Sequence, residues 1–481
     1  MYLSSNLFLL ILINLINLHF SSSSICSDYY SSQSSYQQCE CEDLSINGQS
    51  TISLKCTGQT NFPNFLSTIN YQSIEIESCL EDLNFELKPF YDLTLNTLRI
   101  RHCNLININD QSFINIKQFE KFYLENSTIK SILTSNENFQ DIFISDSFQT
   151  LKSLTLKNIH YHQINKHDKK LNLELLLQQL PRLYRLELIN IYLDNYRYHD
   201  INSIGEYLTY LSLTNTHQTS LLPIEYLKSL QRLLIRHLPD IFHSQPLIAS
   251  LGKLKNLKYI LFEHNQLKTI ENLHSNTIDD IDLSSNLIES IDEYTFEYVP
   301  KLRQLTLSGN PLNSIDKNAF CGIENLQRLS IHIKHTQISP LDNCLLINYP
   351  QLQIIQDSQI KLQCNCQLMN VFHLKRQQIN ANINRIFKLN QMCLFKNDTS
   401  LYKQQDVGIH LYELENYLNC SDINLCNNDH LCQERKIKIL KTEILSPPPI
   451  QVNPKLSSFS TSLYSFFSYL LFPLLLCFLY L

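Results

Sequence analysis

The sequence predicts an α/β solenoid: a curved array of stacked short coils, with a parallel β-sheet on its concave face and a disulfide-bonded cap at each end. Three observations point there. One apolar pattern recurs about twelve or thirteen times between residues 61 and 362, the cysteines cluster on either side of that stretch, and glycine supplies only 7 of 481 residues. The glycines matter by exclusion. No two of them form a Gly-x-Gly pair, and none of the 16 histidines precedes a glutamate. Phosphate-cradling glycine loops, the nucleophile elbow and the zinc-protease helix motif are therefore missing. No local pairing of nucleophile and base stands out either, so the chain is expected to be non-enzymatic, with no cofactor and no metal.

In chain order, residues 1–24 come first: an apolar run from Leu7 to Leu18 and then Ser21 to Ser24. This is the layout of a cleaved secretory signal peptide. The first residues carry no Lys or Arg, which leaves a signal anchor as the alternative. Residues 25–60 hold Cys26, Cys39, Cys41 and Cys56, the expected N-terminal cap. Residues 363–432 hold Cys364, Cys366, Cys393 and Cys420, with Cys426 and Cys432 as a small loop beside them, the expected C-terminal cap. Of 15 cysteines, Cys477 lies in the terminal tail, and removing it leaves the even number suited to an oxidising compartment. The two Cys-x-Cys pairs are tighter than the two-to-four-residue spacing of structural zinc sites, so disulfides are expected there in place of metal.

Residues 61–362 form the array. The repeated pattern is apolar, any, apolar, two of any kind, a small or polar residue, any, apolar. Its fullest copies are Ile281–Ile288 through Asn286 and Leu305–Leu312 through Asn310. Others run through Asn265, Cys103, Ser127 and Ile191, and weaker ones lie near Ile74, Leu154, Leu211, Leu233, Leu329 and Leu352. Two apolar residues two apart on a strand point to one face, and the turn after them brings a third into the same core. One coil cannot bury itself, so the coils must stack, at roughly 4.8 Å. The asparagine side chain is expected to satisfy backbone groups of the turn. Where Ile159, Ile191 or Leu238 takes its place, the coil is expected to be less regular. Phe113, Phe296 and Phe320 read as core filling on the outer half of their coils.

Cys79 and Cys103 share a repeat phase on adjacent coils and are either bridged or two buried thiols standing in for asparagine. Cys321 and Cys344, about one unit apart, read as a bridge. Beyond the second cysteine cluster, residues 433–462 contain Pro447 to Pro449 and Pro454, which suggests an extended stalk. Residues 463–481 are an apolar tail with no basic residue after them. Small residues upstream make this the arrangement of a glycosylphosphatidylinositol signal with attachment at Ser458; a membrane span is the alternative. Asn126, Asn397 and Asn419 head glycosylation sequons. The net charge of −6 and the absence of long basic runs give no nucleic-acid footprint and no reason to expect a polyanion.

The recurring pattern resembles the leucine-rich repeat. The cysteine clusters resemble the flanking caps of extracellular leucine-rich repeat proteins, of the kind found in chaoptin- and connectin-like surface proteins, Toll receptor ectodomains and the arthropod luciferin-monooxygenase non-catalytic subunit. That resemblance implies the pairings Cys26–Cys41, Cys39–Cys56, Cys364–Cys393 and Cys366–Cys420, each contributing about 2–4 kcal/mol. It also implies a recognition or adhesion protein on the outer face of the plasma membrane, bound to an extracellular or cell-surface protein and to the membrane through its tail. The alternative is a soluble secreted non-catalytic subunit or immune recognition factor.

In such arrays the residues between strand leucines line the concave face. Here they include Arg99, Arg101, His102, Lys157, Glu187, Arg236, His237, Glu263, His264 and Asp282, a mixed-charge set suited to protein recognition. Asn126 is expected at the edge of this face. His160, His162 and His167, with Asp168, fall between repeats and are not expected to hold a metal.

Overall fold

A computed structural model describes residues 25–31, 39–46, 49–133, 139–161, 170–194, 205–216, 224–240, 247–270, 273–312, 314–316, 318–323 and 326–331, together with short strands at 353–356, 362–363, 392–395 and 407–410. The chain divides into two compact units, Met1–Cys426 and Asn427–Leu481, and the described residues all belong to the first.

Fourteen strands form one sheet in chain order. The first two, β1 (Cys39–Ile46) and β2 (Gln49–Thr57), make an antiparallel hairpin. Every later neighbour is parallel: β3 (Asn70–Glu77), β4 (Thr94–Arg101), β5 (Lys121–Glu125), β6 (Ser153–Lys157), β7 (Arg185–Ile189), β8 (Tyr210–Thr214), β9 (Arg232–Arg236), β10 (Tyr259–Glu263), β11 (Asp280–Asp282), β12 (Gln304–Thr306), β13 (Arg328–Ile331) and β14 (Gln353–Gln356). The copies of the sequence pattern stand in register: Ile74, Leu98, Phe122, Leu154 and Leu186 pair in succession, and the row continues through Leu211, Leu233, Ile260, Ile281, Leu305 and Leu329. The weak copy expected near Leu352 is displaced, because Ile354 pairs with Leu329. A shift of two residues keeps the same face of the strand, which is why the apolar pattern alone misplaced it.

The hairpin stands at the N-terminal edge of the sheet. Cys26 is bonded to Cys41 and Cys39 to Cys56, with Cα separations of 5.7 and 4.1 Å. Tyr30 fastens the hairpin further, since its hydroxyl donates to the Cys39 carbonyl and accepts from the Cys41 amide, each at 3.0 Å. Cys79 and Cys103, left open by sequence, are bonded across two adjacent coils with Cα atoms 4.9 Å apart. Cys321 is disulfide-bonded as well; Cys344 lies outside the described residues. So do Cys364, Cys366, Cys420, Cys426 and Cys432, and Cys393 is described in its backbone alone. In the expected C-terminal cap, Leu362–Gln363 pairs with Met392–Phe395, which pairs antiparallel with Val407–His410.

Behind the sheet, one apolar core runs through the coils. The coils that β5 and β6 open are long, stepping 32 residues to the next strand. Their extra length is taken up by 3-10 turns at Phe139–Ile144 and Asp146–Thr150 and by a short helix, Leu173–Gln179, whose first turn is capped by the Asn172 side chain accepting from Leu175 N at 3.0 Å. A chain of phenylalanines fills the early coils, with ring centroids 4.9 to 5.7 Å apart from Phe62 through Phe85, Phe113, Phe148 and Phe143 to Phe139. Phe296 and Phe320 stack in the later ones, and Phe113, Phe296 and Phe320 are all buried.

The turn that follows each strand has a common device. Ser78, His102, Asn126, Asn158, Asn190, Asn215, His237, His264, Ser285 and Gly309 stand at one phase of the repeat, all with φ between 48° and 76°. Asparagine and glycine tolerate this left-handed conformation best. It lets the residue's own N–H reach the next strand's end: Asn126 N donates to Lys157 O at 2.7 Å and Asn158 N to Ile189 O at 2.8 Å. At Ile159, Ile191 and Leu238 the strands stay in register because the backbone closes the turn one residue earlier, and Leu238 N is in addition capped by Asn265 Oδ1 at 2.8 Å; the coil that holds Ile159 is one of the two long ones.

Candidate recognition face

Alternation along each strand puts three residues per coil on the face of the sheet turned away from the core. Seven of the expected recognition residues are there, Asp282 on β11 among them. Arg99 and Arg101 stand on β4, Lys157 on β6, Glu187 on β7, Arg236 on β9 and Glu263 on β10, all of intermediate exposure.

Most of them are held by cross-strand partners. Arg101 reaches back to β3, pairing with Glu75 and, at 3.5 Å, with Glu77. Arg99 stacks over the Tyr123 ring at 4.3 Å. Arg236 Nε donates to Glu263 Oε2 at 2.9 Å, and Glu187 pairs with Arg185 at 3.3 Å. These partly exposed pairs contribute little stability, about 0–1 kcal/mol each, but they fix the directions in which the charged groups point. Asp282, of intermediate exposure at the end of β11, is held by the turn that follows, where its Oδ1 accepts from Ser284 N at 2.9 Å and from the Ser284 hydroxyl.

His102, His237 and His264 stand elsewhere. Each is the residue just after its strand, in the left-handed turn. The His237 and His264 rings stack with centroids 4.6 Å apart, and His264 Nε2 lies 3.7 Å from Glu263 Oε1. At the same phase the asparagines form a ladder. Asn215 Nδ2 donates to Asn190 Oδ1 at 2.7 Å, Asn190 to Asn158, and Asn158 to Asn126 Oδ1 at 2.6 Å. Asn126 ends the ladder with its Nδ2 3.5 Å from His102 Nε2. It lies at the edge of the face, and its amide nitrogen, the atom a glycan would occupy, faces His102 on the preceding coil. Asn397, Asn419 and Ser458 lie outside the described residues.

Sequence reasoning missed a row beside these residues. At the first face position of successive strands, Arg185 sits over the Tyr210 ring at 3.7 Å and Arg232 over the Tyr259 ring at 4.4 Å. Next in that row is Asp280, whose carboxyl is held above the usual range by burial and by the neighbouring Asp279 and Asp282 carboxylates. The partners are one coil apart in sequence, and aligning the copies by phase would have exposed the Arg–Tyr alternation.

The three ligand atoms of Cys26, Cys41 and Asp43 lie within 4.8 Å of one another, but the two sulfurs are bonded to each other and Asp43 Oδ1 accepts from Cys26 N at 3.1 Å. A disulfide offers no thiolate to a metal. His160 is exposed, while His162, His167 and Asp168 lie outside the described residues. No helix among the described residues is long and apolar enough to cross a membrane; the terminal tail is not among them.

Residues 276–335 match the family model described as leucine rich repeat. No curated protein matches the chain. Among solved structures, the leucine-rich repeat protein LIC12759 of Leptospira interrogans is similar over 62% of this chain and 93% of that one, at 19% identity and a TM-score of 0.34. The matched stretch contains the two fullest copies of the pattern, Ile281–Ile288 and Leu305–Leu312, and the strands before it continue their register back to Asn70. Over residues 276–335 the chain matches the leucine-rich repeat, and the strands before that stretch stand in the same parallel register.

Proposed function

We propose that the chain is a non-enzymatic cell-surface protein that recognises another protein outside the cell through the open face of its sheet. The observation that supports this most is the face itself: mixed charges on successive coils, oriented by the Arg101–Glu75, Arg99–Tyr123 and Arg236–Glu263 contacts. Leucine-rich repeats suggest protein recognition, and pre-oriented polar groups flanking a buried middle row, Thr155, Ser212, Leu234 and Leu261, suit it. Oxidised cysteine pairs in the N-terminal hairpin favour the secretory route that the apolar leader implies. In this reading residues 433–462 are a stalk, Ser458 carries a glycosylphosphatidylinositol anchor, and Asn126, Asn397 and Asn419 carry glycans.

The test is to express the full chain in animal cells and treat intact cells with phosphatidylinositol-specific phospholipase C. Release of surface protein into the medium is expected. Protein already free in the medium before treatment would replace this reading with that of a secreted subunit or immune factor. Retention on the cell, with no incorporation of labelled ethanolamine, would replace the lipid anchor with a spanning tail.

A further inference from the structure

We propose that the rim of the sheet at the N-terminal ends of β6 to β10 binds an anionic polysaccharide. Whole-chain charge argues against any polyanion, since the net value is −6. The fold redistributes that charge. Where β5 to β10 begin, Lys121, Lys152, Arg185, Arg232 and Lys258 collect on one edge with Glu120 and, in the turn before β8, Glu206; Asp279 and Asp280 follow beside Lys258 at the start of β11. Lys152 is paired with Glu120 at 2.5 Å and Arg185 with Glu187 at 3.3 Å. Arg232 is exposed and feels the Asp280 carboxylate on the neighbouring rim without a close ion pair; Lys258 and Arg182, in the turn before β7, are exposed as well.

The second observation is aromatic. Tyr184 and Tyr207, in the turns just before β7 and β8, are 43% and 46% exposed with ring centroids 5.9 Å apart. Arg185 and Arg232 sit over the rings of Tyr210 and Tyr259. Stacking occupies one face of each guanidinium; Arg185 spends one N–H on Glu187, and the remaining N–H groups of the two arginines keep the fork geometry that a sulfate or carboxylate accepts. Arg185 and Arg232 are two strands apart in a parallel sheet, hence about 10 Å. A linear polymer with anionic groups at recurring intervals can meet both, and the C–H faces of its sugar rings can pack on Tyr184 and Tyr207. An acidic peptide would answer the cations but give the two exposed rings no flat partner.

The binding goes beyond protein recognition and is measured on purified protein, so it stands or falls independently of the anchor. Full-length chain in detergent is tested against immobilised heparin, desulfated heparin and poly-L-glutamate at about 0.15 M salt, where exposed charges still interact within about 8 Å. Heparin is expected to bind, with desulfated heparin and poly-L-glutamate at least ten-fold weaker. The double variant Arg232→Glu/Lys258→Glu should lose at least ten-fold, and Tyr184→Ala/Tyr207→Ala several-fold. Lys88→Glu, an exposed charge change just after the 3-10 turn Phe85–Leu87 and off this rim, should leave binding unchanged. Melting curves matching wild type would show that the variants fold. No heparin binding by the wild-type chain, equal loss in Lys88→Glu, or poly-L-glutamate bound as tightly as heparin would each overturn the proposal, the last in favour of an acidic protein segment.

Discussion

The coils from Leu98 to Leu238 and those from Ile260 to Leu312 make the same turn with different amides. In the later coils the asparagine is the sixth residue of the pattern and is buried. Asn286 Oδ1 accepts from Asn265 N and Leu267 N, and its Nδ2 donates to carbonyls of Phe262, Leu283 and Ser284. In the earlier coils the asparagine stands one residue sooner, in the left-handed position, and bonds mainly to asparagines of the neighbouring coils. The sixth position is then released to Cys103, Ser127, Ile159, Ile191, Thr216 and Leu238. What both halves share is the backbone bond from the left-handed residue to the next coil. That bond defines the turn, and the side-chain amide is an addition to it. The contrast also explains why the family model matches only within the later half, where the amide sits at the position the pattern expects.

The two halves differ in their fill as well, and breaking that difference gives the largest expected effect. Phe148 touches the rings of Phe113, Phe119, Phe122 and Phe143, so Phe148→Ala should cost about 3–5 kcal/mol in chemical denaturation. Next is Asn286→Ala, which strands two buried backbone N–H groups and should cost about 2–4 kcal/mol. Asn158→Ala, in the exposed ladder, should cost only about 0.5–1 kcal/mol. Equal losses for Asn158 and Asn286 would refute the distinction between the two amide devices.

The smallest effects are electrostatic. Asp280 has a folded pKa above its unfolded value, so its carboxylate weakens the fold above that pKa and the penalty disappears as pH falls below about 3.8. Asp280→Asn should therefore melt slightly higher than wild type at pH 7, with the gap closing by pH 4. Glu120 has the opposite sign. The Lys152 ammonium that donates to it holds its carboxyl below the usual range, giving stability that is lost as pH falls through the lowered folded pKa. Glu120→Gln should melt slightly lower at pH 7 and lose that deficit in strong acid.

Much of the fold was legible because its signal is periodic. The apolar rows from Ile74 to Leu329 could be read directly, since each residue's neighbour lies one repeat away at the same phase. The left-handed column was not, because attention to the sixth position hid the fifth, where asparagine, histidine, serine and glycine alternate. The candidate face was half legible. Arg99, Arg101, Arg236 and Glu263 follow from strand alternation, whereas the Arg185–Tyr210 and Arg232–Tyr259 stacks depend on cross-strand pairing that no single repeat displays. His102, His237 and His264 were placed one residue too early in the coil, on the strand in place of the turn.

The claim that the open face is the recognition surface is tested most directly by replacing Arg99, Arg101, Arg236 and Glu263 with Ala in the full chain on animal cells. Cross-linking to neighbouring surface proteins would then be compared with wild type at equal surface level. The account predicts that a protein cross-linked by the wild-type chain is lost from the variant while its melting curve shifts by only a few degrees. An unchanged cross-linked partner would contradict it.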